Sequence, residues 1–101
     1  MRLYLPDGTT VVNILAGEEF DVRIDRWSKW GNPYSHKRGT RARFVVKTKE
    51  EAIRRYREWI RKQLALLACL HELKGKRLGC NCRPGPCHGD VLMDLIEEMC
   101  R

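Results

Sequence analysis

Long apolar runs are missing from this sequence: none approaches the roughly 18 residues that a membrane-spanning helix needs, and the opening Met1-Arg2-Leu3-Tyr4-Leu5-Pro6 lacks the apolar core of a secretion signal. These absences set the expectation of a cytoplasmic protein with no membrane partner. Internal repeats, low-complexity tracts and Pro/Gly/Ser linkers are also missing, so nothing marks a boundary between domains. At 101 residues the chain stands at the low edge of the usual domain size of roughly 100–200 residues, and one domain over residues 1–101 is expected. Side-chain amides are scarce, with one Gln and three Asn, and Arg outnumbers Lys 13 to 7. That balance is compatible with a thermophile source.

Hydrophobic residues make up 43% of the chain and charged residues 33%, enough to build a core and too apolar for disorder. The net charge of +7 is unevenly distributed. Between His36 and Lys62 stand 11 Lys/Arg against 3 Asp/Glu, whereas the rest of the chain has 9 against 10. The segment 36–62 therefore carries the whole positive excess. It reads equally as a phosphate-attracting patch, for nucleotide or nucleic acid, and as a solvated helix face.

The local patterns predict an α/β fold, with α+β as the variant: a small mixed sheet with an N-terminal β-hairpin, a long or broken central helix, and a C-terminal helix after a Cys-rich turn. Leu3-Tyr4-Leu5 and Thr9-Thr10-Val11-Val12-Asn13-Ile14 flank Pro6-Asp7-Gly8, and Asp-Gly supplies the positive φ of a tight turn. Phe20-Asp21-Val22-Arg23-Ile24 alternates with the period of a strand, and Arg43-Phe44-Val45-Val46 reads as another. Between Trp27 and Gly39, turn-forming residues surround two Trp and a Tyr. Thr48-Lys49-Glu50-Glu51 has the form of a capping box, and Ala52, Ile53, Tyr56, Trp59, Ile60, Leu64 and Leu67 share one helix face. The all-apolar run Leu64–Leu70 implies a buried second half or a second helix, closed by Gly75. Lys76–Cys82 reads as a strand, and Val91, Leu92, Leu95, Ile96 and Met99 form the buried stripe of a last helix from about Gly89 to Met99.

Chemistry concentrates at the turn between that strand and that helix. Cys80, Cys82, Cys87 and His88 fall within nine residues, at a place where α/β proteins commonly bind ligands. Three readings stay open. Three thiolates and an imidazole make a tetrahedral zinc set; however, sulfurs at i and i+2 of an extended strand start roughly 6.6 Å apart, and Cys87 and His88 are adjacent, so His36 is a substitute ligand. In the second reading Cys87 is a reactive thiol, with His88 beside it and Arg83 nearby lowering its pKa; Cys87, His88 and Asp90 are then the candidate catalytic residues, Asp90 also complementing the helix dipole. The third is a structural disulfide such as Cys82–Cys87, which intracellular proteins of hyperthermophiles use. Cys100 carries no role in any of these.

Trp30-Gly31-Asn32-Pro33-Tyr34, Cys80-Asn81-Cys82-Arg83-Pro84 and Cys87-His88-Gly89-Asp90-Val91-Leu92 resemble the motifs of the domain of unknown function 4326 family of small phage and prokaryotic proteins. The likeness extends through Val11-Val12-Asn13, Phe20-Asp21-Val22, Tyr56, Trp59 and Leu73-Lys74-Gly75-Lys76. Asn81 departs from it, since the family typically carries an aromatic residue between the two Cys. The resemblance implies that the Trp-Gly-Asn-Pro loop and the Cys-His turn share one surface, in the host cytoplasm if the source is viral. Trp30, Gly31, Asn32 and Arg83 are then candidate ligand-binding residues: Gly31 lets a backbone approach a ligand, and Asn32 offers donor and acceptor. Three functions follow as expectations: a nucleotide- or nucleic-acid-linked pocket protein, enzymatic or not, with a concave site joining Asn32 to His88; a zinc-stapled nucleic-acid-binding module; and a disulfide-stabilised viral interaction protein.

Overall fold

The computed structural model describes residues 4–37, 43–81 and 85–100. Its centre is a three-stranded parallel sheet of β1 (Thr10–Asn13), β2 (Val22–Arg23) and the later strand Arg77–Cys80, in which the last strand lies between the other two. Two short strands come between in the chain, β3 (Tyr34–Ser35) and β4 (Phe44–Val45), which pair in parallel as a separate ribbon; Arg77–Cys80 is therefore β5. Thr10 pairs with Arg77 and Asn13 with Cys80, while Val22 pairs with Leu78. All three strands run the same way, so their carboxyl ends, at Asn13, Arg23 and Cys80, share one edge of the sheet.

The predicted N-terminal hairpin is reduced to one antiparallel bridge, Tyr4 with Thr10. Its turn is as expected: Gly8 takes φ +96°, and its N–H donates to the Leu5 carbonyl at 2.9 Å. That bridge gives the otherwise parallel sheet its mixed character.

Helix α1 (Lys49–Ile60) starts where the capping pattern places it. Thr48 Oγ1 accepts from the Glu51 N–H at 3.0 Å, and the Glu51 carboxylate accepts from the Lys47 N–H at 3.1 Å. Ala52, Tyr56 and Ile60, four residues apart, are its buried stripe. The central helix is broken: after Lys62 and Gln63 a second short helix, α2 (Leu64–Leu67), is followed by a 3-10 turn over Leu70–Glu72. The apolar run is only partly interred, since Leu64 is 77% exposed and Leu70 is buried. Helix α3 (His88–Met99) buries Val91, Leu92, Met93, Leu95 and Ile96. Met99, expected in that stripe, is 54% exposed, because the final turn runs past the core. Among the described residues no helix is long and apolar enough to cross a membrane.

Two glycines let the site end of the sheet pack closely. A Cβ on Gly79 would lie 2.8 Å from Ile14 Cγ1 and 2.9 Å from Phe20. One on Gly89 would lie 2.8 Å from Val11 Cγ2 and 2.9 Å from Ile24 Cδ1. The first turn of α3 therefore sits directly on β1 and on the residue that follows β2.

Candidate functional site

A cleft of about 430 Å³ opens beyond the carboxyl ends of β2 and β5. Asp25, Arg26 and Trp27 border it after β2, Asn81 after β5, and Cys87 and His88 at the start of α3. The loop into and out of β3 contributes Asn32, Ser35, His36 and Lys37, and the first turns of α1 contribute Lys49, Ala52 and Ile53. Its place is the one expected for ligands in parallel α/β sheets, and it brings Asn32 and His88 into one concave surface.

Buried, closely spaced groups form the floor. Cys87 is the N-cap of α3: its Sγ accepts from the Gly89 N–H at 3.3 Å, and the Asp90 carboxylate accepts from the Cys87 N–H at 3.1 Å. Cys80, at the end of β5, holds its Sγ 3.0 Å from Cys87 Sγ. His88 is 7% exposed, with Nδ1 3.6 Å from Cys87 Sγ and Nε2 2.5 Å from the Ile24 carbonyl oxygen. A carbonyl only accepts, so Nε2 carries a proton and donates it, which leaves Nδ1 facing the Cys87 sulfur. The Tyr56 ring meets the imidazole edge-on, with centroids 5.0 Å apart. Burial, with the Cys87 sulfur adding to it, pushes the Tyr56 phenol far above its ordinary value, so Tyr56 is a neutral donor; its hydroxyl bonds the Trp30 carbonyl at 2.7 Å.

The predicted loop residues divide between lining the cleft and holding its wall. Trp30 is buried in the core and is not among the cleft residues. Gly31 serves close packing of the loop on itself, since a Cβ there would lie 2.7 Å from Arg26 Cα and 2.9 Å from the Asp25 carbonyl oxygen. Asn32 lines the cleft with its amide already engaged: Nδ2 donates to the Ala52 carbonyl at 3.0 Å and Oδ1 accepts from the Tyr34 N–H at 2.9 Å. Arg26 closes the loop by donating to the carbonyls of Asn32 at 3.1 Å and Tyr34 at 2.9 Å. Arg83 and Cys82 lie outside the described residues, and the ligand, metal and disulfide roles expected of them lie there too.

Two sulfurs of the expected zinc set, those of Cys80 and Cys87, lie among the described residues. Tetrahedral Zn–S bonds of about 2.3 Å keep two sulfurs roughly 3.8 Å apart, and Cys80 and Cys87 are closer than that, at 3.0 Å. Among the described residues no group of three or more His, Cys, Asp or Glu side chains is arranged to hold a metal ion. His36, the substitute ligand, is exposed at the mouth of the cleft.

At the mouth, Trp27 is 66% exposed and shares the cleft with Arg26, His36, Lys37 and Lys49. Trp27 is the binding candidate that the sequence reading missed; a Trp beside a Gly/Ser/Asn loop with no apolar neighbours was the available signal. The basic segment is cationic only in part. On α1, Arg54 pairs with Glu51 and Glu58, and Arg55 with Glu51. Across the helix interface, Arg57 pairs with Asp94 at 2.9 Å and Arg61 with Glu98 at 3.1 Å. Arg38 and Arg41 lie outside the described residues.

Residues 12–98 match the family model described as a domain of unknown function (DUF4326). The chain belongs to that family. It is also similar, at 37% identity over 81 residues, to a protein of Enterobacteria phage T4 described as an "uncharacterized 12.4 kDa protein in nrdA-td intergenic region", covering 80% of this chain and 71% of the phage protein. No solved structure matches. The family match takes in both the Trp-Gly-Asn-Pro loop, which contributes Asn32 to the cleft, and the Cys-His segment, which contributes Asn81, Cys87 and His88.

Proposed function

We propose that this protein is a pocket enzyme acting on an anionic, ring-bearing small molecule of the nucleotide class, with the Cys87 thiol and the His88 imidazole as its reacting pair. The observation that carries this reading is the single cleft that has the thiol–imidazole pair on its floor and Trp27 with cationic side chains at its mouth. A volume of about 430 Å³ is in the usual range for small-molecule sites. Trp27 offers a face on which a base can stack, worth about 1–3 kcal/mol. Lys37 and Lys49 supply charge to a phosphate, reinforced by the positive end of α3 behind Cys87. His88, its tautomer set by the Ile24 carbonyl, takes the Cys87 proton at Nδ1, and the Gly89 N–H steadies the sulfur. Asp90 takes part as a positioning residue through its bond to the Cys87 N–H.

The test is a thermal-shift panel of nucleoside mono-, di- and triphosphates against the full chain. At least one should raise the melting temperature, by an amount that grows with ligand concentration. Trp27→Ala should weaken that ligand about tenfold or more, and Cys87→Ala should stop its turnover. A flat panel, or a response that Trp27→Ala and Lys49→Ala leave untouched, overturns the reading. The basic face of α1 gripping a nucleic acid is the weaker alternative, because its arginines are paired within the molecule.

A further inference from the structure

The reacting pair leaves Cys80 without a part, although its sulfur is in contact with that of Cys87. Both side chains are completely buried thiols, one at the carboxyl end of β5 and the other at the N-cap of α3. Their sulfurs are 3.0 Å apart, inside van der Waals contact and about 1 Å from the bond length of a disulfide. They stand seven positions apart in sequence, so only a short loop closes if they join. Of the two, Cys87 is also among the residues that line the cleft.

We infer that Cys80 and Cys87 form a dithiol–disulfide couple, making Cys80 the resolving partner of the pocket cysteine and the pair a site of reversible oxidation. The co-reactant is a low-molecular-weight disulfide. Cys87 sulfur, its proton taken by His88 Nδ1, attacks one sulfur of that disulfide; a mixed disulfide forms and the first small thiol leaves, carrying a proton. Cys80 sulfur then attacks Cys87 sulfur, its own proton leaving with the second small thiol. Two protein thiols are oxidised, one small disulfide is reduced to two small thiols, and electrons and protons balance. In the bridged form Cys87 has no thiol to offer, so the reaction proposed above is off until a reductant reopens the bond. The inference rests on the sulfur geometry, and only this last consequence depends on the proposed function.

The experiment is thiol counting on the intact, full-length protein after incubation with oxidised glutathione or with dithiothreitol, followed by fragment-ion mapping of the wild-type segment that spans Cys80 to Cys87. The oxidised sample should lose two alkylatable thiols and two hydrogens in mass, with the bridge mapped to Cys80 and Cys87, and dithiothreitol should restore both. Cys82→Ser should keep the loss; Cys80→Ser should abolish it and leave a glutathione adduct on Cys87. A bridge mapped to Cys82, a wild-type protein that gains adducts without bridging, or stoichiometric zinc that blocks alkylation of the same sulfurs overturns the inference. Fragment mapping needs no variant, so a Cys80→Ser chain that fails to fold does not shield the proposal. Nucleotide binding is read separately, in the thermal-shift panel.

Discussion

The floor of the cleft and the outer face of α1 are built on opposite principles. On the floor, Cys80, Cys87 and His88 are buried, with the Cys87 sulfur 3.0 Å from that of Cys80 and 3.6 Å from the His88 ring, and a methyl group on the neighbouring Gly89 would meet Val11 and Ile24. On α1, Arg54, Arg55 and Arg61 stand about half exposed, each at the end of a long side chain paired to a flexible carboxylate. Packing fixes the first arrangement to fractions of an ångström, whereas the second is an average over rotamers in a high dielectric.

Breaking the floor should have the largest consequences. Leu92→Ala, in the buried stripe of α3, is expected to lower stability by about 2–5 kcal/mol, measured by urea unfolding. Gly89→Ala, with its Cβ 2.8 Å from Val11, should cost about 1–3 kcal/mol and lift α3 off β1, which chemical-shift changes at Val11 and Ile24 would report. Leu64→Ala, on the exposed helix α2, should change stability by about 0.5 kcal/mol or less; an equal effect from both leucines would refute the contrast between buried and exposed apolar positions.

One bond joins the two regions. Tyr56, on the inner side of α1, holds the Trp30 carbonyl at 2.7 Å and packs its ring on His88. Tyr56→Phe keeps the ring and deletes the bond, so the expected loss is about 1–2 kcal/mol, with faster amide exchange in the Trp30–Asn32 loop as the check.

Smaller effects belong to the surface. Asp21 is held at about 2, below its ordinary 3.8, chiefly by the side-chain hydrogen bond from Arg77 and then by the Arg77 backbone N–H. A lowered carboxyl pKa favours the ionised folded state, so this contribution is complete above about pH 4 and is lost as the pH falls towards 2. Asp21→Asn should lower stability throughout the neutral range and flatten the acid limb of the stability profile, its curve meeting that of the parent protein as the pH falls towards 2. Last, Asp94→Asn with Glu98→Gln removes the partners of Arg57 and Arg61. Stability should move by less than about 1 kcal/mol, while retention on a polyanion column should rise and fall again with salt; unchanged retention would mean that these acids do not mask the helix.

Much of the architecture was legible because it is local. Thr48 with Glu51 marked the start of α1, four-residue spacing marked Tyr56 and Ile60 as its buried face, and Asp7-Gly8 marked the first turn. The break in the central helix was one of two alternatives that the pattern left open, and the exposure of Leu64 and Met99 was not legible, since an apolar pattern says which residues can be buried and not how far the core reaches. Of the candidate residues, Cys87, His88 and Asn32 line one cleft, whereas Trp30 is buried in the core and Gly31 packs against Asp25 and Arg26. Trp27 escaped notice because its polar flanks, Arg26 and Ser28, are a weak signal of an exposed indole beside a second, buried one at Trp30.

By itself the sequence determined that a strand, a tight cysteine-bearing turn and an amphipathic helix follow one another near residue 80, because hydrogen bonds and caps between near neighbours need nothing from the rest of the chain. Tertiary structure alone decided that Cys80 touches Cys87, that the Ile24 carbonyl sets the His88 tautomer, and that Asp94 and Glu98 neutralise a helix 37 residues away. Contacts of that kind depend on which surfaces meet when parallel strands close around β5. Side-chain chemistry is written residue by residue, and the partner that gives each group its role is chosen only when the sheet and helices come together.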